Sequence, residues 1–224
     1  MKRMMEPEWL DELPADDPRA QGSRRDLQRL NRIMGHIGLM QNMLERYGRG
    51  RGRLVELGGG DGTFLLALVR AMKAPPGHIV LVDRQPAVRA STLQAFDELG
   101  WQVDIMPYDI FVWMAKLLPT DLLLCNLFLH HLPDHALAEL FDECANRALG
   151  LIALEPARQW TALMASRCVG FIGCNAVTRH DAVASVKAGF VGQELSTLWP
   201  KPAGWHLKEQ HAGLFSHAFA ARRL

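Results

Sequence analysis

The sequence has few of the features that mark secreted, membrane-spanning or polyanion-binding proteins. Its four cysteines form no Cys-x-x-Cys pair and have no histidines at zinc-like intervals, which favours reduced thiols. No stretch is long and apolar enough to span a bilayer, and the N-terminus has no continuous apolar signal segment. With 25 basic and 24 acidic side chains, the chain has no charge excess to attract nucleic acid or anionic lipid. We therefore expect a cytoplasmic protein that binds neither nucleic acid nor membrane.

The composition is that of one ordinary globular domain. A chain of 224 residues with 49% hydrophobic and 22% charged residues can bury one full core but not two. These values lie well away from those of disordered chains. We predict one domain over residues 51–224, preceded by an arm over residues 1–50.

The arm is predicted to be helical after a loosely ordered start. Prolines among many acidic residues over about the first twenty positions indicate short turns. Apolar residues then recur at helical spacing, which predicts one amphipathic helix over about 24–47 that Gly35 weakens. We expect this helix to cover the functional site as a lid or to form a homodimer contact.

From Leu54 onward, short apolar runs alternate with helical stretches. The predicted strands are 54–57, 79–83, 103–106, 122–126 and 151–154, and the helices begin near Thr63, Ala87, Val112 and Asp134. This alternation indicates parallel strands with helices on both faces.

The C-terminal third departs from that rhythm. A helical insertion is predicted over 157–179, and 178–181 resembles a fresh helix cap. Two further strands, 192–198 and 214–220, predict a terminal hairpin that adds an antiparallel strand. The expected fold is therefore a Rossmann-like, doubly wound, seven-stranded and mostly parallel α/β sheet with an N-terminal helical arm.

The segment 54–64 reads as a strand, a glycine turn and the start of a helix. The turn contains Gly58, Gly59, Gly60 and Gly62, and Glu56 lies on the strand before it. Glycines let a ligand approach the backbone, and the helix start supplies free N–H groups, so a nucleotide-like ligand is expected. An acid on the strand repels phosphate and favours an ammonium group over the pyrophosphate of a dinucleotide. An NAD-dependent dehydrogenase, or pairing of Glu56 with Arg53, stays an alternative.

The acid followed by alternating glycines resembles the first motif of the class I methyltransferases of the small-molecule type, which use S-adenosylmethionine. The likeness extends from Leu54 to about Glu155. The resemblance implies S-adenosylmethionine as cofactor and places further binding residues after successive strands: Asp83 on the ribose with Arg84 beside it, Asp109 on the adenine amino group with Ile110 beside it, and Asn126 at the end of the fourth strand. Asp83 could instead cap the segment from Pro86, and Asp109 could be a turn former.

Two adjacent histidines, His130 and His131, follow the fourth strand at the edge where ligands of such sheets bind. Histidine has the near-neutral pKa that suits a base acting on a hydroxyl or enol. We expect one of them, with His131 slightly preferred, to be catalytic, although both could cap a helix or pack beneath the cofactor. His180 is a weaker candidate for orienting the substrate.

The acceptor is expected to be small, apolar, and aromatic or polyketide-like. Residues 126–129 read Asn-Leu-Phe-Leu and lack the prolines of the Asn/Asp-Pro-Pro-aromatic motif of many amino-group methyltransferases. A small organic acceptor is therefore favoured over nucleic acid or protein. The candidate histidine base favours O-methylation, while N- or C-methylation and a non-catalytic partner protein that binds S-adenosylmethionine stay open. No metal site is predicted, because histidines and acids do not recur at ligand spacing on one helix.

Overall fold

The computed structural model describes residues 1–72, 75–200 and 203–224. The strands are β1 (Arg53–Leu57), β2 (His78–Val82), β3 (Gln102–Met106), β4 (Leu122–Asn126), β5 (Gly150–Pro156), β6 (Trp205–Ala212) and β7 (Ser216–Arg223). The α-helices are α1 (Trp9–Glu12), α2 (Pro18–Ile33), α3 (His36–Tyr47), α4 (Thr63–Ala71), α5 (Ala90–Glu98), α6 (Ile110–Trp113), α7 (Asp134–Arg147), α8 (Trp160–Cys168), α9 (Ala176–Ala188) and α10 (Glu194–Leu198). Short 3₁₀ turns cover Met114–Lys116, Leu129–His131 and Val169–Ile172.

The strands form one seven-stranded sheet in the order β3-β2-β1-β4-β5-β7-β6. β1 to β5 run parallel, and β7 is antiparallel to both β5 and β6. Because helices cover both faces, β1, β2, β4 and β5 are almost entirely buried, which explains their nearly continuous apolar sequences. The strand order reverses between β1 and β4, where ligands of such sheets bind. The predicted Rossmann-like sheet is confirmed.

Two apolar layers hold the sheet, one on each face. One layer contains the buried aromatic side chains Trp113, Phe141, Trp199 and Phe219. The other packs α3, α4 and α5 against the sheet through Met40, Leu65 and Phe96. Close packing on both faces leaves the carboxyl ends of the strands as a fixed edge on which a site can be built.

The arm differs from the predicted single helix over 24–47. α2 starts earlier, because the side chain of Asp17 caps its N-terminus and a proline occupies the first helical position. The run is then broken at Gly35, whose φ of 70° is left-handed, and α3 starts anew. Two helices therefore replace the one predicted.

The N-terminal segment 1–17 contacts the rest of the domain through side chains such as Arg3 and Trp9. The sequence analysis had instead predicted loosely ordered turns for this segment. The guanidinium of Arg3 donates to the carbonyl oxygens of Ala188 at 2.8 Å and Leu132 at 2.9 Å. The ring of Trp9 stacks on His180 with the centroids 4.0 Å apart. Composition alone does not reveal these contacts, because their partners lie far along the chain.

Three predicted helix starts are displaced by a few residues. The helices predicted near Ala87 and Val112 begin as α5 and α6, at positions 90 and 110. The cap predicted over 178–181 lies inside α9, since the side chain of Asn175 accepts a hydrogen bond from the backbone N–H of Thr178 at 2.9 Å.

The segment 192–198 is wrongly predicted as a strand, because it contains α10. The carboxylate of Glu209 accepts hydrogen bonds from the backbone N–H groups of Leu195 at 3.1 Å and Ser196 at 2.7 Å, which satisfies the free donors at the start of this helix. The terminal hairpin consists of β6 and β7 instead. Within the described ranges, every helix is too short or too polar to cross a bilayer.

Candidate active site

A cavity of about 1170 Å³ opens at the carboxyl ends of β1, β2 and β4. The arm, α8 and α9 close it from the other side. Its walls include these residues predicted from the sequence: Glu56, Gly58, Gly59, Gly60, Asp83, Arg84, Asp109, Ile110, Asn126, His130 and His131. Gly62 lies behind the wall, where a Cβ atom would stand 3.1 Å from Leu81, so it serves the packing of α4 on the sheet. His180 is absent from the described lining and stacks on the arm instead.

The glycine turn forms one end of the cavity. Gly58 and Gly60 have φ values of 72° and 53°, which side chains other than glycine rarely adopt. A Cβ atom on Gly58 would lie 2.2 Å from the ring of Phe128, whereas a Cβ atom on Gly60 would meet no atom within 4 Å. The backbone at Gly60 therefore faces open space that a ligand can fill.

Glu56 presents an unsatisfied carboxylate oxygen at the floor of this end. The residue is 3% exposed, and its Oε2 atom has no hydrogen-bond partner among the described residues. Burial, with the charges of Asp61 and Asp83, raises the pKa of Glu56 well above its usual range. A buried carboxylate without a partner is costly, and an ammonium group would supply the missing charge and donors. The group thus fits the amino-acid end of S-adenosylmethionine.

Asp83 and Asp109 stand at the mouth of the same end. The two oxygens of Asp83 accept hydrogen bonds from the backbone N–H groups of Gly60 at 2.9 Å and Gln85 at 2.8 Å, and the N-cap position of α5 is held by Arg89 without a side-chain cap. The side chain of Asp109 caps α6 by accepting a hydrogen bond from the backbone N–H of Phe111 at 2.9 Å, and the residue also lines the cavity. Both carboxylates are held in fixed positions beside the glycine turn.

Three charged side chains, Glu155, His130 and Glu8, contact one another in a row on the other side of the cavity from the glycine turn. The buried Glu155, at the end of β5, lies 2.7 Å from Nδ1 of His130 and accepts hydrogen bonds from backbone N–H groups at 128–130. Nε2 of the same histidine lies 3.3 Å from Oε1 of Glu8, which comes from the arm. The ring is therefore held between two carboxylates.

These contacts set the charges in the row. Burial lowers the pKa of His130, but its hydrogen bonds to Glu155 and Glu8 outweigh that effect and raise it to about 9. Burial raises the pKa of Glu8, yet the hydrogen bond from His130 and the charge of His131 lower it to about 2. Near neutral pH, His130 is therefore a fixed cation in this arrangement. His131 is more accessible, with 25% of its side chain exposed.

Residues 54–148 match the family model described as a methyltransferase domain. This segment of the chain carries a methyltransferase domain. The methyltransferase prediction made from the glycine turn is thus confirmed. No curated protein matches the sequence.

Several solved structures share the fold. The plantazolicin methyltransferase BpumL in complex with SAH is 11% identical, with a TM-score of 0.66, and the alignment covers 93% of this chain and 92% of that one. The N,N-8-amino-8-demethyl-D-riboflavin dimethyltransferase RosA from Streptomyces davawensis is 19% identical, with a TM-score of 0.59 and coverage of 95% and 63%. The pyocyanin biosynthetic protein PhzM is 16% identical, with a TM-score of 0.56 and coverage of 96% and 61%.

A buried hydrogen-bond network holds Asn126, another residue that lines the cavity, in place. Nδ1 of His36 lies 2.6 Å from Oδ1 of Asn126, and its Nε2 lies 2.7 Å from Oγ of Ser216. Burial lowers the pKa of His36, so the ring is neutral, and the amide of Asn126 in turn donates to Oδ1 of Asn31 at 3.1 Å. The side-chain amide of Asn126, which the sequence analysis assigned to cofactor binding, is thus held by hydrogen bonds to His36 and Asn31.

Sequence reasoning missed the functional neighbours Glu8, His36 and Glu155. An acid at the carboxyl end of the fifth strand is a signal that could have identified Glu155, because the carboxyl ends of parallel strands share one edge. The other two residues lie in the arm, and nothing in their local sequence indicates which strand ends they contact.

Proposed function

We propose that the protein transfers a methyl group from S-adenosylmethionine to an oxygen atom of a small, largely apolar acceptor. The observation that carries this proposal is the division of one cavity into two unlike ends. The glycine turn, Glu56 and the acids after β2 and β3 form a polar end. The side under α2, α8 and α9 is lined by apolar groups, among them Leu27, Leu30, Met34, Val169, Ile172 and Phe215.

The polar end has the groups that the donor requires. Glu56 would bind the ammonium group, and the open backbone at Gly60 would allow close approach of the amino-acid portion. Asp83 would hold the ribose hydroxyls, and Asp109 and Ile110 would border the adenine. When bound, S-adenosylmethionine supplies a sulfonium methyl group as the electrophile. The protein's part is to align the acceptor and exclude water, since positive charge disappears as the methyl group moves.

The acceptor's hydroxyl would face the two histidines. His130 is already charged and held by carboxylates, so we assign the proton to His131. The Nδ1 atom of His131 lies 3.2 Å from Oδ2 of Asp11, which leaves Nε2 as the nitrogen that accepts the proton. Glu155 and His130 then act as positioning residues for the turn that carries His131.

The arm and the insertion would form the lid over the acceptor. α2 contacts α9 through buried polar side chains: Oγ1 of Thr178 donates to Oδ2 of Asp26 at 3.0 Å and lies 2.9 Å from the hydroxyl of Ser23. These bonds tie the arm to the insertion across the cavity, as expected of two halves of one cover.

Methyl transfer from an isotopically labelled donor to a panel of phenols, hydroquinones and aromatic amines tests the proposal. We expect label on oxygen, at a rate at least tenfold lower in His131→Ala while donor affinity stays unchanged. His135→Ala, an exposed histidine on α7, is the matched control and should behave like the wild type.

Two outcomes would favour the alternatives. Label on amines alone would support N-methylation. Donor binding without transfer to any acceptor, together with a co-purifying protein, would support a non-catalytic role.

A further inference from the structure

Three potential metal ligands from distant parts of the chain meet at the acceptor side of the cavity. Glu8 comes from the arm, and His130 and His131 from the 3₁₀ turn after β4. One ligand atom from each lies within 4.8 Å of the other two. Nε2 of His130 is 3.3 Å from Oε1 of Glu8, and Nε2 of His131 is 3.9 Å from Oε2. Atoms that bind one tetrahedral zinc ion at about 2.1 Å stand about 3.4 Å apart, so both distances from the glutamate to the imidazoles are already near those of a metal site.

Each imidazole has a second carboxylate on its other nitrogen. Nδ1 of His130 lies 2.7 Å from Oε2 of Glu155, and Nδ1 of His131 lies 3.2 Å from Oδ2 of Asp11. Carboxylates in this position fix the orientation of a ring and leave Nε2 free for a ligand. Histidines that bind metals show the same arrangement of a carboxylate behind the ring. Both Nε2 atoms here are turned toward the one carboxylate of Glu8.

The charge around the cluster favours a cation. The carboxylates of Glu8, Asp11 and Glu155 surround two imidazoles. A metal ion that binds Nε2 of His130 displaces the proton of this charged ring, and negative charge is then in excess. The arm's nearby guanidinium, Arg3, is engaged with Asp134 at 2.5 Å and with backbone carbonyl oxygens. A divalent ion would balance the excess, and imidazole with carboxylate is a ligand set that suits zinc and its neighbours.

We propose that Glu8, His130 and His131 bind a divalent transition-metal cation such as Zn²⁺, with Glu155 and Asp11 orienting the two rings. Three protein ligands leave one position open toward the cavity, as in metal sites that bind a substrate or water. The sequence indicated no such site because the glutamate and the first histidine are 122 residues apart.

Metal binding does not depend on the proposed reaction, but its catalytic consequence rests on the proposed function. An acceptor hydroxyl bound at the open position would lose its proton more readily, because the cation stabilises the resulting oxyanion. In that form the cation activates the hydroxyl in place of His131, and the released proton passes to solvent.

Zinc titration of the full chain tests the site. The protein would be stripped with a chelator, dialysed, and titrated with zinc chloride against a competing chromophoric chelator. A Cys168→Ser background removes an exposed thiol that could bind zinc independently. We expect one equivalent of zinc per chain, and at least tenfold weaker binding in Glu8→Gln and in His131→Ala. Cobalt in place of zinc should give visible absorption that both variants lose.

Matched controls keep the test decisive. Glu12→Gln on the same arm and His135→Ala on α7 remove exposed groups of the same types and should bind zinc like the parent. Circular dichroism and thermal unfolding would establish that each variant is folded, and Glu8→Asp, which keeps a carboxylate, should recover part of the affinity. A parent protein without stoichiometric zinc, or cluster variants that bind as tightly as the parent, would overturn the proposal. Donor binding in the same preparations tests the proposed function separately.

Discussion

Alanine at Gly58 and at Gly60 should have different consequences, although the two positions share a left-handed backbone. That conformation costs a residue with a Cβ atom about 1–2 kcal/mol, so this penalty is common to both variants. At Gly58 the new methyl group would also lie 2.2 Å from the Phe128 ring, while at Gly60 it would meet nothing within 4 Å. Overpacking of this kind adds about 1–3 kcal/mol.

We therefore expect Gly58→Ala to lower the free energy of unfolding by about 2–5 kcal/mol and Gly60→Ala by about 1–2 kcal/mol. Urea unfolding followed by tryptophan fluorescence measures both values. Phe128→Ala added to Gly58→Ala should restore part of the loss, and the double-mutant cycle isolates this contact. The reasoning is refuted if the two single variants are destabilised equally, or if removing the ring restores nothing.

Two further predictions concern the cavity and its cover. Glu56→Gln should weaken S-adenosylmethionine binding at least tenfold in calorimetry without lowering stability, because it removes a buried charge with no partner; intact affinity would contradict the role of Glu56. Because the folded-state pKa of Glu56 is raised, its contribution to stability is fully present below the ordinary value of 4.5 and is lost as the pH rises from there through the folded-state pKa. The variant should therefore show a flatter stability profile over that window. Arg3→Ala should release residues 1–17 and speed their proteolysis, whereas Lys2→Ala, an exposed neighbour, should not; equal rates would exclude Arg3 as the anchor of the arm.

The parts of the fold that sequence patterns predicted are those whose signals are local. The strands β1 to β5 are continuous apolar runs, since both faces of a parallel sheet are buried, and such runs stand out from the helices between them. The glycine turn could also be predicted from the sequence, because its left-handed backbone conformation excludes most other residues. These features were sufficient to predict the sheet and the cofactor class.

The errors come from contacts between distant segments. The short apolar run at 192–198 is compatible with either a strand or a helix. The helix is stabilised by Glu209 on β6, whose carboxylate accepts hydrogen bonds from the N–H groups at the start of α10. Similarly, Glu8 lies in an acidic, proline-rich stretch whose composition suggests disorder, and its partner His130 is 122 residues away. Neither contact can be predicted from the local sequence.

Titration calorimetry with S-adenosylmethionine and with NAD, on the wild type and on Gly60→Ala, tests the central claim most directly. The account predicts saturable binding of one S-adenosylmethionine per chain, no detectable heat with NAD, and a large loss of affinity in the folded variant, whose methyl group would occupy the open space at the turn. Preferential binding of NAD, or binding of S-adenosylmethionine that the variant leaves unchanged, would contradict it.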